Sequence, residues 1–448
     1  MLQIIKKIYR GLPAWVTAPV RYVPDGLLFG KSFRQCTPRI DTVCLDENIK
    51  RILDYAREHT VWGRDNIPKR IAKSDAEKVI EDLPCVDANE LHAEPERFVS
   101  CDATEYNSYW TTTGETGKRP TSVCLSNKSY GYEWRHILDI WGLGGYSRRK
   151  DLKLTLRGYH FNTGEILRRD PVYNEIGVDS FQLSELSEDE FCMLVDNLNR
   201  MKISCIHGYP TLVEIFKERL SRNGMYCPVK EVLLASEGAS VIQKKKFSEF
   251  FGARVLSWYG LTEKVVLAYD EFADNRFKVY TSYGFPRIVN PDSEGMGEIV
   301  GTTFVNLAMP LVNYKTGDYG CIIRNDTELF IENLSGRSGK DFVYESESKK
   351  YPITAINLPS HVQDKIVFYQ VIQESFADIK ILVLLRERYA KDLVAKEMFA
   401  EVKSRLPNFH VAIVVVMDEN CFERSKRGKF RMLVQRLRIP CYEAVDGK

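Results

Sequence analysis

An aromatic ring, a hydroxyl and a carboxylate occur within five positions of this chain, in the run Tyr259-Gly260-Leu261-Thr262-Glu263. The ring can stack on a nucleobase, the Thr262 hydroxyl can reach a phosphate oxygen, and the Glu263 carboxylate can hold Mg²⁺. The run follows a strand-like segment at residues 254–258. A second interpretation is therefore a turn after a buried strand, in which Thr262 and Glu263 begin a helix.

Four further motifs place small, hydroxyl and charged residues together, at residues 111–118, 235–238, 314–318 and 336–337. The first is a loop of hydroxyls and glycines, in which backbone N–H groups can approach phosphate oxygens closely. It differs from a Walker loop because the G-x-x-G-K spacing is too short and no Ser or Thr follows Lys118. The second and third motifs each follow an apolar run.

Taken in this order, the motifs resemble those of the adenylate-forming (ANL) superfamily, which includes acyl-CoA synthetases, peptide-synthetase adenylation domains and luciferases. The likeness is closer to its phenylacetate-CoA ligase branch, and there to the CapK-like type of capsular polysaccharide biosynthesis. The segments that carry this closer likeness are residues 207–212, 307–318 and 368–373. The resemblance extends from about Trp110 to Arg431.

The resemblance implies an ATP site assembled from separate segments of the chain. The loop over the β- and γ-phosphates would consist of Thr112, Thr113, Gly114, Thr116, Gly117 and Lys118. The residues that would border or stack on the adenine are Ser236, Glu237, Gly238, Tyr259 and Gly260. Thr262 would contact the α-phosphate, and Glu263 would carry Mg²⁺. Asp318 would accept both ribose hydroxyls, and Arg337 would reach the ribose side.

A catalytic lysine and an acid pocket are also implied. Residues 425–431 resemble the superfamily's terminal S-G-K-x-x-R element, with Lys429 as the catalytic lysine, Lys426 as the alternative, and a solvated basic segment as the structural interpretation. His207 and Tyr209 end an apolar strand and would line the acid pocket, although a lone histidine is commonly structural. Three aromatic residues could shape the same cavity or belong to the core: Trp134, Trp141 and Tyr146.

The chain departs from the superfamily pattern in charge and in metal ligands. Glu115 stands where the phosphate loop has Ser or Thr, and its carboxylate would repel a triphosphate unless it points away or binds a cation. Some relatives in the ligase branch carry a Cys/His zinc site between the Y-G-x-T-E and G-R motifs. Here that interval holds only Cys321 and no histidine, so we expect a core thiol and no structural zinc.

Length and composition favour two domains of ordinary globular character. The 448 residues exceed the size at which one core keeps growing, 44% are hydrophobic and 28% are charged. The net charge of +2 gives no sign of a nucleic-acid partner. We predict an α/β fold: a large N-terminal adenylate-forming domain, residues 1–336, with helix-covered mainly parallel sheets, and a small mobile C-terminal α+β domain, residues 337–448. The hinge would lie near residues 337–341.

Hydrophobic periodicity predicts the individual elements. In the large domain, helices are predicted at residues 46–59, 73–83, 188–201, 211–222 and 242–251, and strands at 203–206, 229–234 and 254–257. Ser187 and Glu190 predict a capping box at the start of the third helix. In the small domain, helices are predicted at 353–362 and 390–406, and strands at 341–344, 368–373, 379–385 and 410–417.

The implied activity is ATP-dependent activation of a small carboxylic acid as an acyl-adenylate, followed by transfer to coenzyme A or to an amine or hydroxyl of a sugar precursor. Two alternatives stay open: adenylylation of a phosphate-bearing deazaflavin, and a non-catalytic scaffold in polysaccharide biosynthesis, the latter motivated by Glu115. The implied cofactors are ATP and Mg²⁺, with CoA as the usual acceptor.

Cysteine usage and the amino terminus bear on location. Eleven cysteines without a C-x-x-C pair fit a reducing cytoplasm. The first ten residues are apolar and basic, which favours a packed terminal helix, with work near a membrane surface as the alternative. No segment reaches the roughly 18 to 20 apolar residues of a spanning helix.

Overall fold

The computed structural model describes residues 17–112, 122–159, 161, 164–335, 342–347, 349–356, 358–363, 365–386, 389–424 and 431–437. The chain divides into two compact units. The first extends to Val213 and resumes from Leu220 to Leu334, and the second comprises the chain from Ser335 onward together with Glu214–Arg219. The predicted hinge at residues 337–341 lies outside the described residues and stays a prediction.

Four of the five helices predicted in the larger part of the chain begin and end within one residue of the predicted positions, and residues 73–83 form a 3₁₀ turn followed by a helix. Six further helices among the described residues were not predicted, the longest of them Asn127–Gly142. The α-helices described up to residue 251 are α1 (Asp25–Leu28), α2 (Gly30–Gln35), α3 (Leu45–His59), α4 (Val61–Asn66), α5 (Ala76–Asp82), α6 (Ala88–Ala93), α7 (Asn127–Gly142), α8 (Ser180–Glu185), α9 (Glu188–Arg200), α10 (Pro210–Arg222) and α11 (Val241–Phe251). Short 3₁₀ turns are Ala18–Tyr22, Lys73–Asp75 and Pro95–Arg97. The capping box of α9 is confirmed, because Ser187 and Glu190 bond each other's backbone N–H.

Strands up to residue 335 form one hairpin and one large sheet. They are β1 (Ser108–Thr112), β2 (Ser122–Ser126), β3 (Lys153–Tyr159), β4 (Leu167–Asp170), β5 (Glu175–Asp179), β6 (Cys205–Gly208), β7 (Glu231–Ala235), β8 (Arg254–Gly260), β9 (Leu267–Asp270), β10 (Phe277–Val279), β11 (Gly284–Val289), β12 (Gly297–Thr303), β13 (Tyr314–Arg324) and β14 (Leu329–Ser335). β1 pairs with β2. The others form a sheet in the order β11-β12-β13-β14-β10-β9-β8-β7-β6-β3-β5-β4.

The middle of this sheet is parallel. β5, β3, β6, β7 and β8 run in one direction as neighbours. α10 and α11 connect β6 to β7 and β7 to β8, because neighbouring parallel strands need a long crossover. The predicted parallel sheet with helices is thus confirmed for this segment. β4 and β9 are antiparallel to their neighbours and continue the sheet on both sides.

One face of the parallel strands packs against α7. Ile137, Ile140 and Trp141 of this helix share a buried cluster with Leu233 and Leu256 of the sheet. Trp134, Trp141 and Tyr146 were predicted either to shape the acid cavity or to belong to the core, and the structure supports the core. Trp141 and Tyr146 are buried in it, and the partly buried Trp134 packs against it. Cys321 is buried on β13, as expected of a core thiol.

The second unit has its own core and its own sheet. Its elements are β15 (Phe342–Tyr344), β16 (Lys350–Pro352), a 3₁₀ turn (Ile353–Ile356), α12 (Ser360–Gln363), β17 (Ile366–Ser375), β18 (Asp378–Leu385), α13 (Lys391–Arg405), β19 (His410–Val416), a 3₁₀ turn (Glu419–Cys421) and β20 (Leu433–Gln435). The four-stranded sheet has the order β19-β18-β17-β20. The predicted hairpin is confirmed, because β17 and β18 pair antiparallel.

The predicted helix at residues 353–362 is wrong. The segment forms a 3₁₀ turn, Ile353–Ile356, and the one-turn helix α12 from Ser360, with Leu358 and Pro359 outside both. Proline has no N–H to donate within a helix, and it disfavours helical backbone at the residue before it. The apolar spacing that indicated one helix therefore belongs to two short pieces that both face the small core.

Two general expectations can be compared with the described residues. The cysteines among them are all free thiols. No helix in the described ranges combines the length and apolar character needed to cross a membrane.

Glu231, at the start of β7, is a buried carboxylate that forms no salt bridge within the described part of the chain. Its side chain is fully enclosed, and the groups that favour its charge are Lys230, Arg254 and the backbone N–H of Tyr146. Its close neighbour is Gly144, where an added Cβ would lie only 1.8 Å from Glu231 Oε1, so a larger residue there would displace the Glu231 carboxylate. Burial raises the pKa of Glu231 to about 7, partly opposed by Lys230, whose ammonium pairs with Asp151 at 2.8 Å.

We expect Glu231→Gln to change the pH dependence of stability. Because the folded-state pKa lies above the ordinary value of 4.5, the folded state binds more protons, and the wild type loses stability as pH rises from about 4.5 through about 7. Glutamine keeps the shape without ionising. The melting temperature of the variant relative to wild type should therefore be higher at about pH 8 than at about pH 5.

The matched control is Glu249→Gln on α11, because the Glu249 side chain is 65% exposed. Its melting-temperature difference from wild type should be the same at both pH values. A Glu231→Gln difference that is equally flat with pH would show that Glu231 titrates normally.

Candidate active site

The carboxyl ends of the parallel strands bring several polar and aromatic residues to one edge of the sheet. Strand register places Leu156 of β3 beside Gly208 of β6, and Ala235 of β7 beside Trp258 of β8. The residues that follow these positions are therefore neighbours: Arg157, Tyr209, Ser236 and Tyr259. In open α/β sheets, ligands bind in the crevice outside this edge.

Tyr259 and Asp318 are in direct contact across the sheet. The Tyr259 hydroxyl donates a hydrogen bond to Asp318 Oδ2 at 2.8 Å, although the two residues are 59 positions apart. Burial, and then the negative charge of Asp318, raise the pKa of Tyr259 well above its ordinary value of 10. Tyr259 is therefore a stable donor at neutral pH. The two residues predicted to hold the base and the ribose are brought together.

A β-bulge directs Asp318 toward this contact. Val300 pairs with Lys315, and Glu298 pairs with Tyr319. Between these two pairs the chain of β13 advances by four residues and that of β12 by only two, so β13 contains the bulge. Gly317 has a φ of +74° there, a backbone conformation that glycine adopts without steric cost. The Thr316 hydroxyl accepts the Asp318 N–H at 3.1 Å and donates to the Ile299 carbonyl at 2.7 Å, which fixes the bulge. Bulges next to active sites commonly redirect a side chain in this way.

Glu263 is held by the same strand. Tyr314, the first residue of β13, donates its hydroxyl proton to Glu263 Oε1 at 3.0 Å, and both side chains are buried. A carboxylate oxygen suits the hard cation Mg²⁺, so the chemistry of Glu263 fits the predicted metal role. No cluster of three or more His, Cys, Asp or Glu side chains that could hold a metal ion is found in the described ranges. A metal here would take Glu263 together with ligands from the nucleotide and water.

The Tyr-Gly turn does not begin a helix. β8 extends through Tyr259 and Gly260, and after a turn at Thr262 and Glu263 the chain enters the antiparallel strand β9. The helix-start interpretation of Thr262 and Glu263 is therefore wrong. Thr262 is half-buried and Gly260 is exposed at this edge.

Ser236, Glu237 and Gly238 follow β7 at the same edge. Ser236 has a φ of +71°, an uncommon conformation for a residue with a side chain, and Gly238 borders open space. Glu237 Oε2 accepts hydrogen bonds from the backbone N–H and the hydroxyl of Thr211, at 3.2 and 2.7 Å. The carboxylate thus caps α10, where the helix dipole favours a negative charge. The predicted contact of these residues with adenine stays a prediction.

His207 and Tyr209 lie inside the sheet edge and not on the surface. His207 is buried, with its ring centroid 5.4 Å from that of Trp258 and 5.3 Å from that of Trp141. Burial, followed by the charges of Lys153 and Arg157, lowers the pKa of His207 well below 6.5, so the ring is neutral. Its Nδ1 has no hydrogen-bond partner in the described part of the chain.

Two residues of the site were not assigned a role from the sequence. Tyr314 begins the motif that contains Asp318, and its role as the donor to Glu263 depends on strand pairing that no local pattern reveals. Arg157 lies on β3, its guanidinium 5.5 Å from the Tyr209 ring centroid and 3.4 Å from Ser236 Oγ. The sequence signal that could have identified Arg157 is the alternation of Lys153, Thr155 and Arg157, which places three polar residues on one face of the strand.

The remaining predicted site residues lie outside the described residues. For Thr112 only the backbone is described, at the end of β1. The residues outside the description are Thr113, Gly114, Glu115, Thr116, Gly117, Lys118, Arg337, Lys426 and Lys429.

Solved structures with a similar fold are adenylate-forming enzymes. A 2-hydroxyisobutyryl-CoA ligase in the postadenylation state with R3-HIB-AMP is 13% identical, and the match covers 90% of both chains with a TM-score of 0.64. The same ligase with 2-HIB-AMP is 14% identical over 90% of both chains, with a TM-score of 0.64. GH3.15 acyl acid amido synthetase is 14% identical over 90% of this chain and 94% of its own, with a TM-score of 0.53.

No protein-family model matches the sequence, and no curated protein matches it. At identities this low, the structural similarity establishes the fold alone. The chain therefore has the α/β fold of the adenylate-forming enzymes, with a large sheet-containing unit and a small C-terminal one.

Proposed function

We propose that this chain is an ATP-dependent, AMP-forming ligase that activates a carboxylic acid as an acyl-adenylate. The observation that carries the proposal is the contact of Tyr259 with Asp318 beside the contact of Tyr314 with Glu263. These contacts place an aromatic ring and two carboxylates at the carboxyl edge of a parallel sheet. The adenylate-forming fold supports the same conclusion.

The residues at this edge suit the first half-reaction. A carboxylate oxygen of the acid attacks the α-phosphorus of ATP, an O–P bond forms, and the bond to the β-phosphate bridge breaks to release pyrophosphate. Two anions approach each other in this step, so positive charge and hydrogen-bond donors are needed. Tyr259 would stack on adenine, Asp318 would bind the ribose hydroxyls, Thr262 would contact the α-phosphate, and Glu263 would hold Mg²⁺.

The remaining elements of the mechanism are proposed on the sequence alone. The phosphate loop with Thr112, Thr113, Gly114, Thr116, Gly117 and Lys118 would cover the leaving pyrophosphate. Lys429 would stabilise the charge that develops at the α-phosphate, and Arg337 would reach the ribose. The small domain would rotate about residues 337–341, after which coenzyme A, an amine or a hydroxyl attacks the adenylate.

The finer assignment to the phenylacetate-CoA ligase branch, and within it to CapK-like enzymes of capsular polysaccharide biosynthesis, is part of this proposal. It is supported by the segments 207–212, 307–318 and 368–373. A cytoplasmic location is also part of the proposal, supported by the proposed use of ATP and by the free thiols of the described cysteines.

The test is acid-dependent exchange of labelled pyrophosphate into ATP, with a panel of carboxylic acids. An adenylating enzyme exchanges label only when a suitable acid and Mg²⁺ are present. No exchange with any acid, combined with no detectable ATP binding, would instead favour the scaffold alternative.

Asp318→Asn should raise the KM for ATP by about tenfold or more. An amide oxygen can still accept the Tyr259 hydroxyl, so the fold is retained, but it accepts two ribose hydroxyls less well than a carboxylate does. The readout is the exchange rate at increasing ATP concentration.

The control is Asp326→Asn, because Asp326 is exposed in the turn between β13 and β14. It should leave the KM for ATP unchanged. An Asp318→Asn variant with the wild-type KM for ATP would remove Asp318 from the ribose site.

Lys429→Ala should lower the exchange rate about a hundredfold while changing ATP affinity little. A lysine that acts on developing charge contributes mainly in the transition state, and the loss of one such group typically costs 10²- to 10³-fold, as an order of magnitude. The measurements are exchange rate and equilibrium ATP binding. Lys426→Ala is the comparison, and a larger loss in it than in Lys429→Ala would transfer the role to Lys426.

A further inference from the structure

Strand β3 carries three polar residues on the face that otherwise belongs to the apolar core under α7. Successive side chains of a strand alternate between faces, so Lys153, Thr155 and Arg157 point to one side. Register pairs Thr155 with His207 of β6, which contacts Trp141 of α7. The row therefore runs from the core toward the sheet edge where Tyr209 and Ser236 lie.

The inner part of this row is electrically compensated. The Lys153 ammonium lies 2.9 Å from Glu175 Oε2, and both residues are buried. Thr155 donates its hydroxyl proton to the same carboxylate at 2.9 Å. These bonds, with Lys153 foremost, lower the pKa of Glu175 against the opposing effect of burial. The charge of Lys153 is thus matched by one carboxylate.

The outer residue of the row, Arg157, acts on Glu175 only at longer range: its charge also lowers the pKa of that carboxyl, but the carboxylate is bonded to Lys153 and Thr155. Arg157 forms no salt bridge with any residue in the described ranges, and its one side-chain hydrogen bond there is a 3.4 Å contact with Ser236 Oγ. Its guanidinium lies 5.5 Å from the centroid of Tyr209, and the side chain is half-buried. Next to it, His207 is neutral and adds no further positive charge.

A half-buried guanidinium whose donors are largely unused within the described ranges is suited to an oxyanion that accepts two hydrogen bonds. Arg presents N–H groups in a fixed fork that matches a carboxylate, a sulfonate or a phosphate. Its position beside Tyr209 puts it on the acid side of the edge. Tyr259 and Asp318, which are hydrogen-bonded to each other, lie on the proposed nucleotide side of the edge.

We propose that Arg157 binds a second anionic group of the acid, so that the substrates of this site are acids with two negative groups, such as dicarboxylates. This inference rests on the proposed function. The carboxylate that becomes the adenylate loses its own charge when the O–P bond forms. A guanidinium holding that carboxylate would stabilise the ground state and slow the attack. A second anion instead keeps its charge throughout and anchors the acid before and after adenylation.

The experiment compares acids that differ only in the second group. Succinate is paired with butyrate, and terephthalate with 4-methylbenzoate, because a methyl group replaces one carboxylate in each pair. Thermal shift at equal concentration and ionic strength reports binding, since a ligand of the folded state raises the melting temperature. Pyrophosphate exchange with the same acids reports kcat/KM.

In the wild type, at least one dianionic acid should raise the melting temperature more than its methyl partner and should give the higher kcat/KM. Arg157→Gln should abolish that difference in melting temperature and lower kcat/KM for the dianion about tenfold or more, the loss expected for a charge-assisted hydrogen bond. The kcat/KM for the methyl acid should stay the same or rise. Arg157→Lys should retain part of the preference.

The matched control is Arg169→Gln, because Arg169 is exposed on the edge strand β4, and it should behave as the wild type. Equal melting-temperature shifts within both wild-type pairs, or a preference that survives in Arg157→Gln, would overturn the inference. An Arg157→Gln variant with a raised KM for ATP and the same loss for all acids would place Arg157 at the nucleotide and also overturn it. Arg157-dependent binding of the dianions without exchange would instead refute the proposed function.

Discussion

Two tyrosine–carboxylate hydrogen bonds join the segments on which the candidate site depends. Tyr259 of β8 donates to Asp318 of β13, and Tyr314 of β13 donates to Glu263 in the turn after β8. Each motif therefore supplies one donor and one acceptor to the other. A neutral donor bonded to an ionised acceptor is a charge-assisted pair, typically about 1.5–3 kcal/mol in net stabilisation. Loss of either tyrosine would leave a carboxylate without its partner.

These contacts are possible because of where the sheet changes character. β8 is the last of the parallel strands, and from β9 onward the neighbours are antiparallel. The carboxyl end of β8 therefore lies at a border between helix-connected strands and hairpin-connected ones. The bulge at residues 316–318 gives β13 the extra length that turns Asp318 toward this border. Backbone geometry, more than side-chain choice, thus positions the Asp318 carboxylate.

On the sheet face under α7, the way in which each side-chain charge is balanced depends on its depth in the core. Lys153 and Glu175 neutralise each other where water is excluded, because an unpaired buried charge is costly. His207 stays neutral for the same reason. Arg157 is closer to solvent and keeps its charge without a carboxylate partner in the described part of the chain. Glu231 is the exception, since it is buried without a salt bridge in the described part of the chain, and burial raises its pKa to about 7 against the opposing charge of Lys230.

By itself, the sequence determined many of the elements and indicated which segments could carry chemistry, because hydrophobic periodicity, turn residues and the capping box at Ser187 are local signals. It predicted β6, β7 and β8 with α10 and α11, and the hairpin of the small unit, but not β3, β5 or α7. It failed at residues 353–362, where Pro359 overrides an apolar pattern, and its helix-start alternative for Thr262 is wrong because a turn there leads to strand β9. Tertiary structure alone decided that Tyr314 bonds Glu263, that Tyr259 bonds Asp318, and that Arg157 lies beside Tyr209. Those contacts join residues more than fifty positions apart, and their partners are chosen by strand register and a bulge, which no short window of sequence encodes.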